Sequence, residues 1–317
     1  MSLSTLMVKK HSPFSLLPEA ETAYQNWRSW KLSVYPKQAS EILVAINDPF
    51  SLSSEERDLI NQCFLRANMA VYTINNVSDF ANKKIVQTLG KEFGLLRLDN
   101  NLGADDDSIT SLQVIAGGQK QGYIPYSDKK LSWHTDGYYN HAQEQIRGII
   151  LHCVNPAAEG GENALLDHEM MYIHLRDLDP AYISALMKPE VLTIPANVEN
   201  GTEIRGAQTG PVFSIDTETG ALHMRYSARK RNIIWTDDAV TTAAVSAIDD
   251  FLASDSPWIL RHRLEPGQGL VCNNVLHNRT SFKNGAGSEH QRLIYRGRYY
   301  DRLAGTYFND TAKAMSS

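Results

Sequence analysis

The sequence predicts an α+β protein whose core is a β-sandwich or jelly roll with helical padding. Two observations support this class. Helical patterns dominate the N-terminal quarter, and from about residue 109 the chain changes to short β-like segments separated by Gly, Pro and Asn turns. These segments do not alternate regularly with helices, which is atypical of a parallel α/β sheet and typical of a sandwich or jelly roll.

The N-terminal region shows helix signals before its first strand. Residues 19–70 have a largely helical pattern, in which Ser53 followed two and three residues later by Glu55 and Glu56 marks a helix start. The apolar, β-branched run 69–74 predicts a strand. Residues 82–94 predict a helix that ends at a glycine.

The remainder of the chain is mainly β in character. Helices are expected only at 168–178 and 238–253. The expected strands are 110–116, 131–136, 146–154, 162–166, 191–195, 212–215, 223–227, 258–263, 269–273 and 291–300. Between them, 117–130 and 196–211 are long and glycine-rich, so each is expected to be either a lid over a site or a surface loop.

Length and composition are those of an ordinary globular protein. The chain has 317 residues, of which 42% are apolar, and a formal net charge of −5. One elaborated domain is expected over 1–317, with a helical part at about 1–70 and a jelly-roll core at about 70–302. The acidic balance disfavours nucleic acid as a partner, and it leaves room for a local basic pocket.

The cysteines and the hydropathy pattern suggest a cellular address. Cys63, Cys153 and Cys272 are far apart and odd in number, which argues against a disulfide framework and favours a reducing compartment. No apolar stretch approaches the roughly 20 residues of a membrane span, and no signal peptide is evident. A cytoplasmic protein without a membrane partner is therefore expected, and homo-oligomerisation stays open.

A metal site is indicated by three residues in two distant segments. In an extended segment, residues i and i+2 point to one face, so His134 and Asp136 could bind the same ion. His277 follows a second probable strand and would complete a facial triad of two histidines and one carboxylate. A lone H-x-D tripeptide arises readily by chance, so its weight here comes from the segments around it.

Those segments, in their order and spacing, resemble the taurine dioxygenase-like family of Fe(II)/2-oxoglutarate oxygenases. The resemblance covers roughly 70–302 and includes the glycine turn Glu159-Gly160-Gly161-Glu162-Asn163 and the distal Arg292. It implies a double-stranded β-helix (a cupin-like jelly roll). It also implies Fe(II) at His134, Asp136 and His277, with 2-oxoglutarate as co-substrate and O₂ as oxidant.

The resemblance also suggests how the co-substrate is held. The family's glycine turn usually ends in Thr, whose hydroxyl contacts 2-oxoglutarate, and Asn163 stands there in this chain. An amide can also donate a hydrogen bond. A guanidinium fork pairs well with the distal carboxylate of 2-oxoglutarate, and the family pattern assigns this role to Arg292.

Arg296 is the expected substrate anchor. It lies four residues after Arg292, so a strand would put both side chains on one face about 13 Å apart. The opposite face carries Tyr295 and Tyr299, which we expect to pack under helices while the arginines line the cavity. No acid lies within 291–300, which favours a small substrate with an anionic group, such as an amino acid, although a distant acid of the protein could also pair with Arg296. Tyr138 is expected at the mouth of the pocket.

The expected reaction is hydroxylation of an unactivated C–H bond with release of succinate and CO₂. Family members that halogenate typically lack the carboxylate ligand, so Asp136 favours hydroxylation, although desaturation, ring closure and demethylation stay open. An alternative is a cupin-like metal-dependent isomerase or lyase, which would need neither 2-oxoglutarate nor Arg292. A catalytically idle binding module is a further alternative, and the intact triad speaks against it.

Overall fold

The computed structural model describes residues 12–75, 80–100, 105–115, 124–229, 231, 233–287 and 291–315. Helices and strands alternate irregularly along this part of the chain. The α-helices are α1 Glu21–Val34, α2 Ser54–Ala67, α3 Lys84–Glu92, α4 His168–Leu178, α5 Pro180–Leu186, α6 Ala239–Ala253 and α7 Phe308–Ala314. The strands are β1 Leu43–Ile46, β2 Met69–Ile74, β3 Thr110–Leu112, β4 Leu131–His134, β5 Gly148–Asn155, β6 Glu159–Gly160, β7 Asn163–Leu166, β8 Leu192–Ile194, β9 Asn197–Glu199, β10 Thr202–Arg205, β11 Gln208–Gly210, β12 Phe213–Ile215, β13 Leu222–Met224, β14 Ile234–Trp235, β15 Leu260–His262, β16 Gln268–Cys272, β17 Leu276–Arg279, β18 Phe282–Lys283 and β19 Leu293–Tyr299.

Two sheets carry the architecture. The major sheet has the order β1-β2-β16-β5-β19-β3, and the minor sheet has the order β15-β7-β17-β4. Neighbouring strands are antiparallel in both sheets except for the parallel pair β1–β2. The order of strands differs from their order along the chain, so connections cross between sheets as they do in a jelly roll.

The period of two along β19 assigns its side chains to opposite faces. Tyr295 donates to the carbonyl of Ala81, and Tyr299 donates to the carbonyl of Val86 in α3, so this face packs beneath the helical layer as predicted. Arg292, just before the strand, and Arg296 within it are buried on the other face. That face is turned toward the minor sheet.

Several segments differ from their predicted form; His277, for example, was expected to follow a strand and lies within strand β17. Residues 43–46 form strand β1 rather than helix, because Val44 and Ile46 are buried where β1 pairs with β2. Residues 196–211 are not an irregular loop but contain the hairpin β9–β10 and strand β11, which pairs with β8. The short helix α7 has no strong apolar stripe in its sequence and was not predicted.

Two further findings concern the cysteines and the helices. Cys63, Cys153 and Cys272 are all buried, and none of them is in a disulfide. Within the described residues, no helix combines the length and the hydropathy needed to cross a bilayer.

Candidate metal centre and co-substrate pocket

The structure brings the three predicted ligand residues together at one end of the minor sheet. His134 ends β4, and His277 lies directly opposite it on the antiparallel neighbour β17. Their ring centroids are 4.3 Å apart. Asp136 lies two residues beyond His134, and the candidate ligand atoms of all three residues are within 4.8 Å of one another. All three side chains are buried.

Both imidazoles are oriented by a hydrogen bond to the backbone two residues earlier. His134 Nδ1 is 2.9 Å from the carbonyl oxygen of Ser132, and His277 Nδ1 is 2.9 Å from that of Val275. A carbonyl can only accept, so each Nδ1 carries a proton, and a metal bound by either ring would be held through Nε2. This is the arrangement in which histidine binds a metal through Nε2.

Asp136 has a cationic partner on the facing sheet. Arg296 Nη1 lies 3.1 Å from Asp136 Oδ2. Burial acts to raise the pKa of Asp136, but the charge of Arg296 and the contact with His134 hold that pKa well below its usual range. The acid that pairs with Arg296 therefore comes from a segment 160 residues away in sequence, which is the alternative to an anionic ligand that the sequence had left open.

Arg292 borders a small cavity behind the glycine turn. The cavity is also lined by Gly161 and Asn163, so the structure brings the two predicted co-substrate residues to one place. A Cβ on Gly160 would lie 2.3 Å from the carbonyl oxygen of Ser281, which explains why the turn needs glycine there. Asn163 donates one amide hydrogen to the carbonyl of Asn278 at 3.1 Å and has a second one to give.

The guanidinium of Arg292 has no acidic partner among the described residues. Burial lowers its pKa to about 9, and the nearby charge of Arg279 contributes, yet the group remains charged at neutral pH. Its Nη1 atom is buried without a hydrogen bond. A buried cation in this state is costly unless an anionic ligand joins it.

Arg279 links this pocket to the segment that precedes the metal site. It lies two residues after His277, and its guanidinium stands 4.7 Å from the ring centre of Phe282, which Arg292 also approaches at 5.1 Å. It donates to the carbonyl oxygens of Ser127 and Lys129. Of residues 117–130, expected to be a lid or a surface loop, 124–130 therefore lie beside the pocket, and 117–123 lie outside the described residues.

Tyr138 is half-buried beside the triad. Its ring meets that of His134 edge to face at 6.5 Å, and the ring of Tyr139 at 5.1 Å. Tyr139 in turn accepts a hydrogen bond from Arg298 at 2.8 Å. Arg298 shares the inner face of β19 with Arg296 and is paired with buried Asp99. Arg298 was not predicted as a residue of this face. Its spacing of two residues from Arg296 on a strand is the sequence signal that places both side chains on the same face.

The unpartnered polar atoms of the described chain concentrate around these two places. Seven buried side-chain N or O atoms of the described residues lack a hydrogen bond. They are Thr110 Oγ1, Asp136 Oδ2, His168 Nδ1, Arg263 Nε, Arg279 Nε, Arg292 Nη1 and Arg296 Nε. Only His168 is remote: Arg263 lines the Arg292 cavity, and Thr110 pairs in register with Arg296. Buried polar atoms are rarely left unsatisfied, so these atoms indicate a ligand-binding cavity.

The donor set fits iron. Two imidazoles and one carboxylate whose ligand atoms converge within 4.8 Å are the donor set that non-haem iron(II) oxygenases use, in a facial arrangement that leaves the other positions open to ligands. The uncompensated Arg292 then supplies a positive charge at a distance from the metal, where the far end of a dicarboxylate would fit.

Comparison with known proteins agrees with this chemistry. The model of the "Taurine catabolism dioxygenase TauD, TfdA family" matches residues 33–297. A uridine-5'-phosphate dioxygenase of Streptomyces sp is 26% identical over 209 residues, which are 61% of this chain and 73% of that protein.

Solved structures show the same fold at low sequence identity. The non-haem iron oxygenase OrfP in complex with Fe has a TM-score of 0.56 at 15% identity, covering 78% of this chain and 80% of that one. An asparagine oxygenase in complex with Fe(II), a hydroxyasparagine and succinate has a TM-score of 0.54 at 13% identity, covering 94% and 92%. The predicted α+β jelly roll is thereby confirmed.

The family model spans most of the chain, from before β1 into β19. The chain therefore belongs to the TauD/TfdA family, and the Fe(II)- and 2-oxoglutarate-dependent dioxygenase class predicted from its sequence is confirmed.

Proposed function

We propose that this dioxygenase binds Fe(II) through His134 Nε2, His277 Nε2 and the Asp136 carboxylate, and that Arg292 binds the distal carboxylate of 2-oxoglutarate. The observation that carries this assignment is the pairing of a complete buried donor set with a buried guanidinium that has no acid of its own. Asn163 lines the cavity beside Arg292 and can donate its free amide hydrogen to the same carboxylate.

Each residue then has a defined task. Bound Fe(II) would activate O₂, which is the oxidant, and the oxidation of 2-oxoglutarate to succinate and CO₂ would supply two of the four electrons that reduce it. His134 and His277 keep their Nε2 lone pairs turned to the cavity. Arg292 fixes the co-substrate by a charge-assisted pair, while the buried surroundings keep water away from the reacting groups. A cupin-like isomerase or lyase that does not bind 2-oxoglutarate would not explain the buried guanidinium of Arg292, whose charge has no acidic partner among the described residues.

The primary substrate is proposed to be a small metabolite or amino acid with an anionic group, which is hydroxylated at an unactivated C–H bond. Arg296 and Thr110 are register partners on β19 and β3, and each keeps one buried polar atom without a hydrogen bond. Because Arg296 already shares its charge with Asp136, it is expected to contact a substrate through its remaining N–H groups. Tyr138 would border the same space. The relatives support this class, since their names include uridine-5'-phosphate and asparagine.

An oxygen-consumption screen tests this substrate class. Anionic and neutral metabolites would be supplied with Fe(II) and 2-oxoglutarate to the wild type and to Arg296→Gln, after equal iron loading of both proteins has been verified. We expect stimulation by an anionic compound in the wild type and a weaker response in the variant. A neutral compound that both proteins turn over equally well would overturn the substrate assignment.

We also propose a single-domain, cytoplasmic protein. One continuous core of buried residues runs from Phe14 to Leu303, which supports a single domain. The three free buried cysteines are compatible with a reducing compartment.

A further inference from the structure

Asp136 lies outside the strand that carries the other ligand of its motif. Strand β4 ends at His134, and Gly137, directly after Asp136, has a φ of +67° that turns the chain away. In the described residues, the backbone N–H and C=O of Asp136 therefore have no partner in a sheet ladder. Buried backbone groups need partners, so something else must hold this residue.

The side chain of Asn274 holds both backbone groups of Asp136. The Asp136 N–H donates to Asn274 Oδ1 at 2.7 Å, and Asn274 Nδ2 donates to the Asp136 carbonyl at 2.9 Å. The second hydrogen of Nδ2 goes to the carbonyl of Ile146 at 2.6 Å. One amide thus replaces the paired N–H and C=O that a neighbouring strand would offer.

Asn274 also lies in the turn that leads to His277. It stands between β16 and β17, three residues before His277, with a φ of +50°. Its side chain is buried. The same turn therefore leads directly into the strand that carries His277, and its Asn274 side chain holds the backbone of Asp136. It thus connects the segment of His277 with the segment of His134 and Asp136.

From this geometry we propose that Asn274 is a positioning residue for the metal centre, which sets where the Asp136 carboxylate sits relative to His134 and His277. The role needs one donor group with two hydrogens, one acceptor, and tolerance of left-handed backbone. Asparagine combines all three, whereas aspartate lacks the donor. The proposal rests on the proposed iron site.

Asn274→Gly is the direct test, because glycine keeps the left-handed backbone and removes only the amide. Asn68→Gly is a matched control, because Asn68 is also buried and has a φ of 55°. Its side-chain amide donates to Asp167 and accepts from Asn273, and it does not contact Asp136. Co(II) serves as the probe, with its affinity measured by titration and its d–d absorption recorded. Thermal unfolding of the metal-free proteins is followed in parallel.

Residues that orient metal ligands typically contribute 10- to 100-fold in affinity. Asn274→Gly should therefore weaken Co(II) binding about 10- to 100-fold and change the absorption spectrum. Asn68→Gly should lower the unfolding temperature while keeping the wild-type Co(II) affinity and spectrum. Asn274→Asp, which keeps only the acceptor, should also lose affinity and serves if the glycine variant does not fold.

Wild-type Co(II) binding by Asn274→Gly or Asn274→Asp would overturn the proposal, and so would an equal loss of affinity in Asn68→Gly. His134→Ala separates this failure from that of the iron assignment. If His134→Ala binds Co(II) as the wild type does, the metal site itself is wrongly assigned. If only His134→Ala loses binding, the site stands and the role of Asn274 falls.

Discussion

Arg296 Nη1 lies 3.1 Å from Asp136 Oδ2, so the candidate metal ligand of one sheet is paired with an arginine of the other. Both side chains are buried. The pair places a positive charge behind the carboxylate and keeps Asp136 ionised. It also means that Arg296 belongs to the metal centre as well as to the cavity beside it.

Loss of Arg296 should therefore destabilise the metal-free protein. Arg296→Leu leaves the Asp136 charge buried and uncompensated, at a cost of about 3 kcal/mol in the free energy of unfolding. The loss should be smaller with saturating Co(II), because the ion compensates the carboxylate instead. Urea denaturation with and without Co(II) measures both values, with the exposed Arg261→Leu as control. Unchanged stability of metal-free Arg296→Leu would contradict the pair's importance.

Arg292 should govern the 2-oxoglutarate requirement. Arg292→Leu removes the cation of a buried charge-assisted pair, so the affinity for 2-oxoglutarate should fall by about ten- to a hundredfold or more while Co(II) affinity stays unchanged. Isothermal titration of the Co(II)-loaded variant with 2-oxoglutarate measures this effect. If Arg296→Leu weakens 2-oxoglutarate binding and Arg292→Leu does not, the roles of the two arginines are reversed.

Asn163 should support the co-substrate through its free amide hydrogen. Asn163→Ala is expected to weaken 2-oxoglutarate binding by about tenfold, the value of one hydrogen bond to a charged group. Asn163→Thr, which restores the family's usual residue, should bind it nearly as the wild type does. Binding by Asn163→Ala that equals the wild type would remove Asn163 from the co-substrate site.

His152 should make the protein less stable in mild acid. Burial lowers the pKa of His152 to about 4, in a place where it contacts Tyr72 Oη and the carbonyl of Phe80. In the unfolded chain the pKa is about 6.5, so below that pH the unfolded state takes up a proton that the folded state refuses. The stability contribution is present above pH 6.5 and is lost as the pH falls toward 4.

The size of this effect can be isolated by substitution. His152 alone accounts for a loss of about 2 kcal/mol in the free energy of unfolding between pH 7 and pH 5. In His152→Gln the difference between the two pH values should shrink by that amount, whatever the substitution costs at pH 7. Urea denaturation at both pH values measures it, with exposed His141→Gln as control. An unchanged difference in His152→Gln would refute the prediction.

The triad could be predicted from the sequence because its signals are local and strand periodicity is simple. His134 and Asp136 are two residues apart, and the apolar run of β16 marked the segment that precedes His277, although His277 itself lies within the short strand β17. The face assignment of β19 followed from the same period of two. Strand β1 was missed because four apolar residues within a helical region carry no distinct period.

The partners of the site residues could not be predicted, because they come from contacts between distant segments. No sequence pattern near Arg296 predicts its ion pair with Asp136, and none near Arg298 predicts its ion pair with Asp99. The clamp by Asn274 depends on a side chain folding back onto a backbone 138 residues away. Only the assembled sheets make these pairs visible.

The proposed site binds Fe(II) through His134, Asp136 and His277 and 2-oxoglutarate through Arg292. The most direct measurement is an anaerobic titration of the protein with Fe(II) and 2-oxoglutarate, followed by visible absorption. A keto acid that chelates Fe(II) gives a charge-transfer band that neither component gives alone. We predict this band in the wild type and its loss in His277→Ala. No band in the wild type, or an equal band in His277→Ala, would contradict the claim.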